Sequence, residues 1–268
     1  MEEMFKIAFM HKALIVSTVI GALFSYIGVY IVLRRTVFVG IALSQLAACG
    51  FAFGLLVGIA PFIWSLIFTL AGVILFSLQL KEHKITRESI IGFTYAFTSS
   101  LAIIFIAKAE HGEANILEVL SGNIFTITDG QLFFTTAVFF GAGILHALFY
   151  QRFILLAFDA ETASAGGIKT GIWNFVFYLI LGITISLGIQ TAGVLLVFSY
   201  LVIPAMTALL IARNMSKTFI TSVLVGVIAT VAGVYLSFAL DLPGGTTIVT
   251  VSGLFFMAAY LTRAVLGK

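Results

Sequence analysis

The chain has 268 residues, of which 61% are apolar and 9% charged. Soluble domains carry about 25% charged residues, so this composition excludes a water-soluble globular protein and a disordered one. The net charge of +3 comes from 14 Lys+Arg against 11 Asp+Glu, a surplus too small to argue for nucleic acid as a partner.

A bilayer core is about 30 Å thick and takes about 20 apolar helical residues to cross. Stretches without Asp, Glu, Lys or Arg run over 13–33, 36–80, 89–107, 130–151, 170–212, 218–240 and 242–262. The first predicts one span, with Gly21, Ser25 and Gly28 as small residues that allow close helix contact. The second is twice as long as one span, and Ala60-Pro61 divides it, because proline cannot continue a helix. Its first half places Gly50, Gly54 and Gly58 on one helix face. Cys49 lies in the same run, and a single cysteine per chain cannot form an internal disulfide or a thiolate cluster. The next two stretches each predict one span. His146, the one histidine in the spans, lies near the end of the second of them. It reads as a packed histidine or as a transient ligand. The stretch 170–212 divides between Gly188 and Gly193, and Pro204 predicts a kink in its second half. That kink either lines a pathway or packs statically. Two further spans complete an all-α polytopic membrane protein of eight or nine transmembrane helices, forming a single transmembrane domain over 1–268. The runs are continuous rather than alternating, which argues against a β-barrel.

With nine spans, one set of loops holds Arg34, Arg35, Lys81, Lys84, Arg87, Arg152, Lys169, Arg213, Lys217, Arg263 and Lys268. The other set holds Lys6, Lys12 and Lys108. Basic residues mark cytoplasmic loops, so the N-terminus is expected outside and the C-terminus in the cytoplasm of a prokaryotic plasma membrane.

Chemistry is sparse. No G-x-x-x-x-G-K-[S/T], C-x-x-C, H-E-x-x-H or G-x-S-x-G motif occurs. The sequence therefore reads as a non-enzyme. Empty spans also argue against a proton relay, so the energy for any transport is expected from elsewhere. The outer loop groups Glu110, His111 and Glu113, either as a solvated polar turn or as a weak vestibule for a divalent cation. On the inner side, Asp159 can cap a short helix that ends at Gly166-Gly167. Such a helix, between two spans, is a candidate docking surface.

Four ordered segments carry a resemblance. They are Val32-Leu33-Arg34-Arg35-Thr36-Val37-Phe38-Val39-Gly40; Phe158 to Ala163 with Gly166-Gly167; Gly193 to Val197 through Ile203-Pro204-Ala205-Met206-Thr207-Ala208; and Asp241-Leu242-Pro243-Gly244-Gly245-Thr246-Thr247-Ile248-Val249. Their order and spacing resemble the membrane permease subunits of zinc, manganese and iron ABC importers, the ABC-3 family. The resemblance implies an ABC importer permease fold, paired as a homodimer in the lipid bilayer. It implies an ABC ATPase subunit docked at Asp159, Ala160, Glu161, Ala163 and Gly166. It also implies an extracellular or periplasmic solute-binding protein that delivers a divalent transition metal as cargo, with no cofactor bound permanently. The translocation path would run past Ile41, Ser44, Gln45 and Pro204. In the family pattern an aspartate follows the glycine, and a histidine comes four residues later. Here Ile41 and Gln45 hold those positions. A permease for a metal chelate such as a siderophore or cobalamin is the alternative, and a stand-alone secondary carrier is a more distant one.

The basic asymmetry generates a test. Cysteines introduced at positions 111 and 83 should label from outside and from the cytoplasm, respectively. Labelling of position 83 from outside intact cells reverses the topology.

Overall fold

The computed structural model describes residues 8–77, 86–109, 122, 124 and 127–266. In chain order the helices are α1 (Ala8–Leu33), α2 (Val37–Val57), α3 (Pro61–Ser77), α4 (Arg87–Lys108) and α5 (Asp129–Leu148). They continue with α6 (Tyr150–Phe158), α7 (Ala160–Ala165), α8 (Thr170–Ile211), α9 (Met215–Leu240) and α10 (Gly244–Leu266).

Seven of these are long and apolar enough to cross a membrane, and α3 is a shorter apolar helix of 17 residues. α8 has 42 residues, and would be about 63 Å long if straight, twice the bilayer core. It is not straight. Gly193 has φ 78° and ψ 165°, a conformation open essentially to glycine alone. A Cβ built on Gly188 would lie 3.1 Å from Val197 Cγ2. Nine residues of continuous helix would separate these positions by about 13.5 Å, so the chain bends back sharply at Gly193. The expected division of this stretch is therefore present, and counting both limbs of α8 together with the shorter α3 gives nine crossings among the described residues. The break is at Gly193 and not at Pro204, where helical geometry continues and Thr207 Oγ1 donates to the Ile203 carbonyl at 2.8 Å.

The other long apolar stretch divides as its sequence predicts. Gly58 ends α2 in the left-handed conformation, Ala60 has φ 40°, and Pro61 opens α3. Gly50 lies against the Trp64 carbonyl and Gly54 against Pro61, so the glycine face of α2 packs on α3. Cys49 is buried in the same helix.

α1 packs along α8, α9 and α5. Gly28 lies so close to the Leu201 carbonyl that a Cβ would collide with it, and a Cβ on Gly21 would be 3.0 Å from the Tyr200 ring. Ser222 Oγ on α9 donates to the Ser25 carbonyl at 2.7 Å. Tyr200 and Thr230 share a hydrogen bond of 2.5 Å between α8 and α9. Small residues thus let backbones approach where lipid supplies no hydrophobic drive for helix association.

Side-chain contacts sort the helix ends into two faces. Lys12 pairs with Asp129 at 2.6 Å, joining the starts of α1 and α5. Arg34 reaches Asn174, joining the end of α1 to the start of α8. Arg263 donates to the Leu210 carbonyl, joining the ends of α10 and α8. This alternation matches nine crossings.

Gly28→Ala should destabilise the protein by about 1–3 kcal/mol, because its methyl group meets backbone that cannot rotate away. Gly92→Ala, in open space on α4, should be neutral or stabilising. Thermal unfolding of both variants in detergent checks the contrast, and equal effects would contradict the close α1–α8 contact.

Candidate functional site

The best-defined polar element is the short helix between α6 and α8. Asp159 takes an extended conformation, and its Oδ1 accepts from the Glu161 and Thr162 amides, both at 3.0 Å. Its Oδ2 accepts from the Thr162 hydroxyl. These bonds to Thr162 hold the carboxyl below the usual carboxylate range. At the other end, Gly167 has φ 81° and the Ile168 amide donates to the Ala163 carbonyl at 3.0 Å, closing the helix. The expected cap and glycine stop are both present.

α7 presents Asp159, Ala160, Glu161, Thr162, Ser164 and Gly166 to solvent. Ala163 is fully buried and faces inward, in a helix that packs on α6 and α8. Of the five residues expected to dock a partner, four lie on the free face and Ala163 seats the helix on the bundle. A bulky residue at 163 would lift the helix rather than block its outer surface.

Behind α7 lies an aromatic layer. Phe153 on α6 is fully buried, with its ring centroid 5.0 Å from His146, 5.6 Å from Phe177 and 6.3 Å from Tyr30. Arg34 is inserted beside it. Its Nη1 donates to Asn174 Oδ1 at 3.1 Å, Nη2 points at the Phe153 carbonyl at 3.5 Å, and the guanidinium lies 4.1 Å from the Phe177 ring centroid. Burial lowers its pKa to about 10, so it remains charged at neutral pH. His146 is fully buried, with Nδ1 donating to the Ala142 carbonyl at 3.0 Å. That is the packed arrangement, with the ring enclosed by Tyr26, Tyr30, Phe153 and Phe177.

The expected path residues lie on α2 and the second limb of α8. Ile41 and Gln45 are half-buried and one helical turn apart. Ser44 is fully buried and donates to the Gly40 carbonyl at 3.0 Å, so its hydroxyl is already engaged. Pro204 is buried. The structure packs these two helices on each other, since a Cβ on Gly40 would touch Leu201 Cδ1 at 3.8 Å. It does not merge the path residues with α7. Glu110, His111 and Glu113 lie outside the described residues. Among the described residues no three His, Cys, Asp or Glu side chains come together. Asn174 and Phe153 were not singled out in the sequence. Asn174 is one of two amides in the 170–212 stretch, and that polarity was the available signal.

A bundle of membrane-crossing helices, folded back at a glycine and carrying one short capped helix at one end, has the form of a multi-pass transport permease. A sequence model of the ABC 3 transport family matches residues 6–263, and the chain belongs to that family. It is 28% identical to the manganese transport system membrane protein MntC of Listeria monocytogenes, over 97% of this chain and 93% of that protein. It is 27% identical to the manganese import system permease protein ScaB of Streptococcus gordonii, over 94% and 90% of the two chains. The structure of PsaBC from Streptococcus pneumoniae in complex with Fab superposes with a TM-score of 0.87 at 26% identity, covering 97% of this chain and 93% of that one. The protein is the membrane permease subunit of an ABC transport system.

The cap on α7 makes a pH prediction. A carboxyl whose pKa is lowered on folding stabilises the helix above the ordinary carboxylate range, and loses that effect as pH falls through its lowered value. Hydrogen exchange at the Glu161 and Thr162 amides, corrected for intrinsic rate, should accelerate below that point. Asp159→Asn should keep the cap and abolish the acid dependence, because an amide oxygen still accepts both bonds.

Proposed function

We propose that this chain imports a divalent transition metal, manganese first, as one half of a homodimeric permease. The observation that carries the metal is the near-full-length similarity to permeases named for manganese. The metal is cargo, not a resident cofactor. ATP hydrolysis belongs to a separate ATPase subunit, as this sequence has no phosphate-binding loop. The ATPase docks on the free face of α7, which is short, doubly capped and held at one end of the bundle. A solute-binding protein delivers metal at the opposite end.

The end that bears α7 is cytoplasmic in this reading. Arg34, Arg35, Arg152, Lys169, Arg213, Lys217 and Arg263 lie at that end, against Lys12 and Lys108 at the other. The N-terminus is then outside and the C-terminus inside.

The path at Ile41 and Gln45 is neutral. A transported ion must be released as well as held, so a weak site there suits transport. The Gln45 amide oxygen is a harder and weaker ligand than imidazole nitrogen for zinc.

The test is a reconstituted complex. The permease should co-purify with a Walker-motif ATPase, and hydrolysis in proteoliposomes should rise with manganese-loaded binding protein. Stimulation only by a metal chelate, or no ATPase at all, overturns the reading. A second measurement addresses the path. Wild-type permease without its binding protein should retain little manganese or zinc, whereas the double change Ile41→Asp with Gln45→His should retain metal. Stoichiometric metal in the wild type that survives Gln45→Ala would contradict the weak site.

A further inference from the structure

The two arginines after α1 have opposite environments. Arg35 is exposed, with φ 56° in the tight turn between α1 and α2. Arg34 turns into the protein, and the one ion pair among the described residues is Lys12–Asp129, so none of the described carboxylates answers its charge. Its Nε is buried without a hydrogen-bond partner among the described residues. Partly burying a cation without a described counter-ion is costly, and a topology signal does not require it, because a basic residue in water serves equally well. The guanidinium instead joins three elements. Arg34 ends α1, the Phe153 carbonyl belongs to α6, and Asn174 and the Phe177 ring belong to the first limb of α8.

Position gives this junction its meaning. α6 leads directly into α7, with only Asp159 between them. Phe153 is wedged under the same junction against Tyr30, His146 and Phe177. From there α1 runs along the second limb of α8, with Gly28 on Leu201 and Gly21 on Tyr200. Its Phe24 ring lies against Gly188, five residues before the turn at Gly193.

We propose that Arg34 is a positioning residue for energy coupling: it fastens α6, and with it the docking helix α7, to α1 and α8, so that movement of the ATPase reaches the helices around Gly193. The proposal rests on the reading of α7 as the docking helix. Chemistry explains why the residue is arginine. Only a planar fork can donate to an amide oxygen and approach a carbonyl while stacking on a phenyl ring; an ammonium keeps the charge and loses the geometry.

The experiment compares Arg34→Lys, Asn174→Leu and the double variant in the co-expressed permease–ATPase complex. In proteoliposomes, uptake of radiolabelled manganese is divided by ATP hydrolysed. A cysteine in place of Leu195, which is 49% exposed beside the turn, reports nucleotide-dependent labelling without any substrate. Arg34→Lys should assemble and hydrolyse ATP, lose roughly tenfold in manganese per ATP, and lose the nucleotide-dependent labelling at 195. Asn174→Leu should shift both readouts in the same direction. The double variant should be no worse than Arg34→Lys, because both changes break one junction.

A lysine variant with wild-type coupling shows that only charge matters and overturns the proposal, as does a double variant whose losses multiply. If Arg34→Lys fails to assemble, Asn174→Leu decides alone: unchanged coupling there overturns the proposal. Wild-type protein that takes up no manganese but keeps nucleotide-dependent labelling contradicts the metal reading, and the labelling in the variants still judges Arg34. Wild-type protein that binds no ATPase removes the docking reading and the proposal with it.

Discussion

The sharp turn at Gly193 is the constraint on which the centre of the molecule depends. In hydrocarbon a backbone cannot leave its polar groups unpaired, so a reversal inside the bundle must be covered by protein. Gly122 provides part of that cover: a Cβ there would collide with the backbone of Ala192 and Gly193. Once α8 is folded back, its two limbs form the frame against which α1, α2 and α3 pack. Gly182 on the first limb takes Thr69 and Val73 of α3, and Leu201 on the second takes Gly28 of α1.

The polar side chains inside the spans are mostly hydroxyls that bond to the preceding turn of their own helix. Ser44, Thr69, Thr98, Thr184, Thr191 and Thr230 all do so. A few cross between helices, as Ser186 does to Thr69 at 2.9 Å. Each such bond contributes about 0.6 kcal/mol in a membrane protein, so they set register more than they set stability. Close backbone approach through glycine carries the packing, and this arrangement leaves helices able to shift without breaking a charged network.

Function follows from that economy of charge. Between their ends the spans offer no carboxylate or ammonium to relay protons or to bind an ion tightly, and Ile41 and Gln45 continue the pattern. At the end that bears α7, Asp159 caps that helix and Arg34 anchors the end of α1, while Lys12 and Asp129 pair at the opposite end. A permease built this way is driven from outside its own spans.

Much of this was legible in one sequence. Apolar run length, Pro61, the glycine periodicity of α2 and the Asp159 cap are local signals, governed by span length, backbone geometry and hydrogen bonding within a few residues. Family membership was legible too, because four motifs kept their order. The spacing did not reveal that the turn in 170–212 falls at Gly193 while Pro204 stays helical, since several glycines there permit a break and only packing selects one. Nor did it reveal that Ala163 faces inward, because a six-residue helix has too few turns for periodicity to define its buried side. Above all, Arg34 and Arg35 are indistinguishable as neighbours in the chain. Which one turns inward was decided by Phe153, Asn174 and Phe177, residues more than a hundred positions away that only the tertiary fold brings to the end of α1.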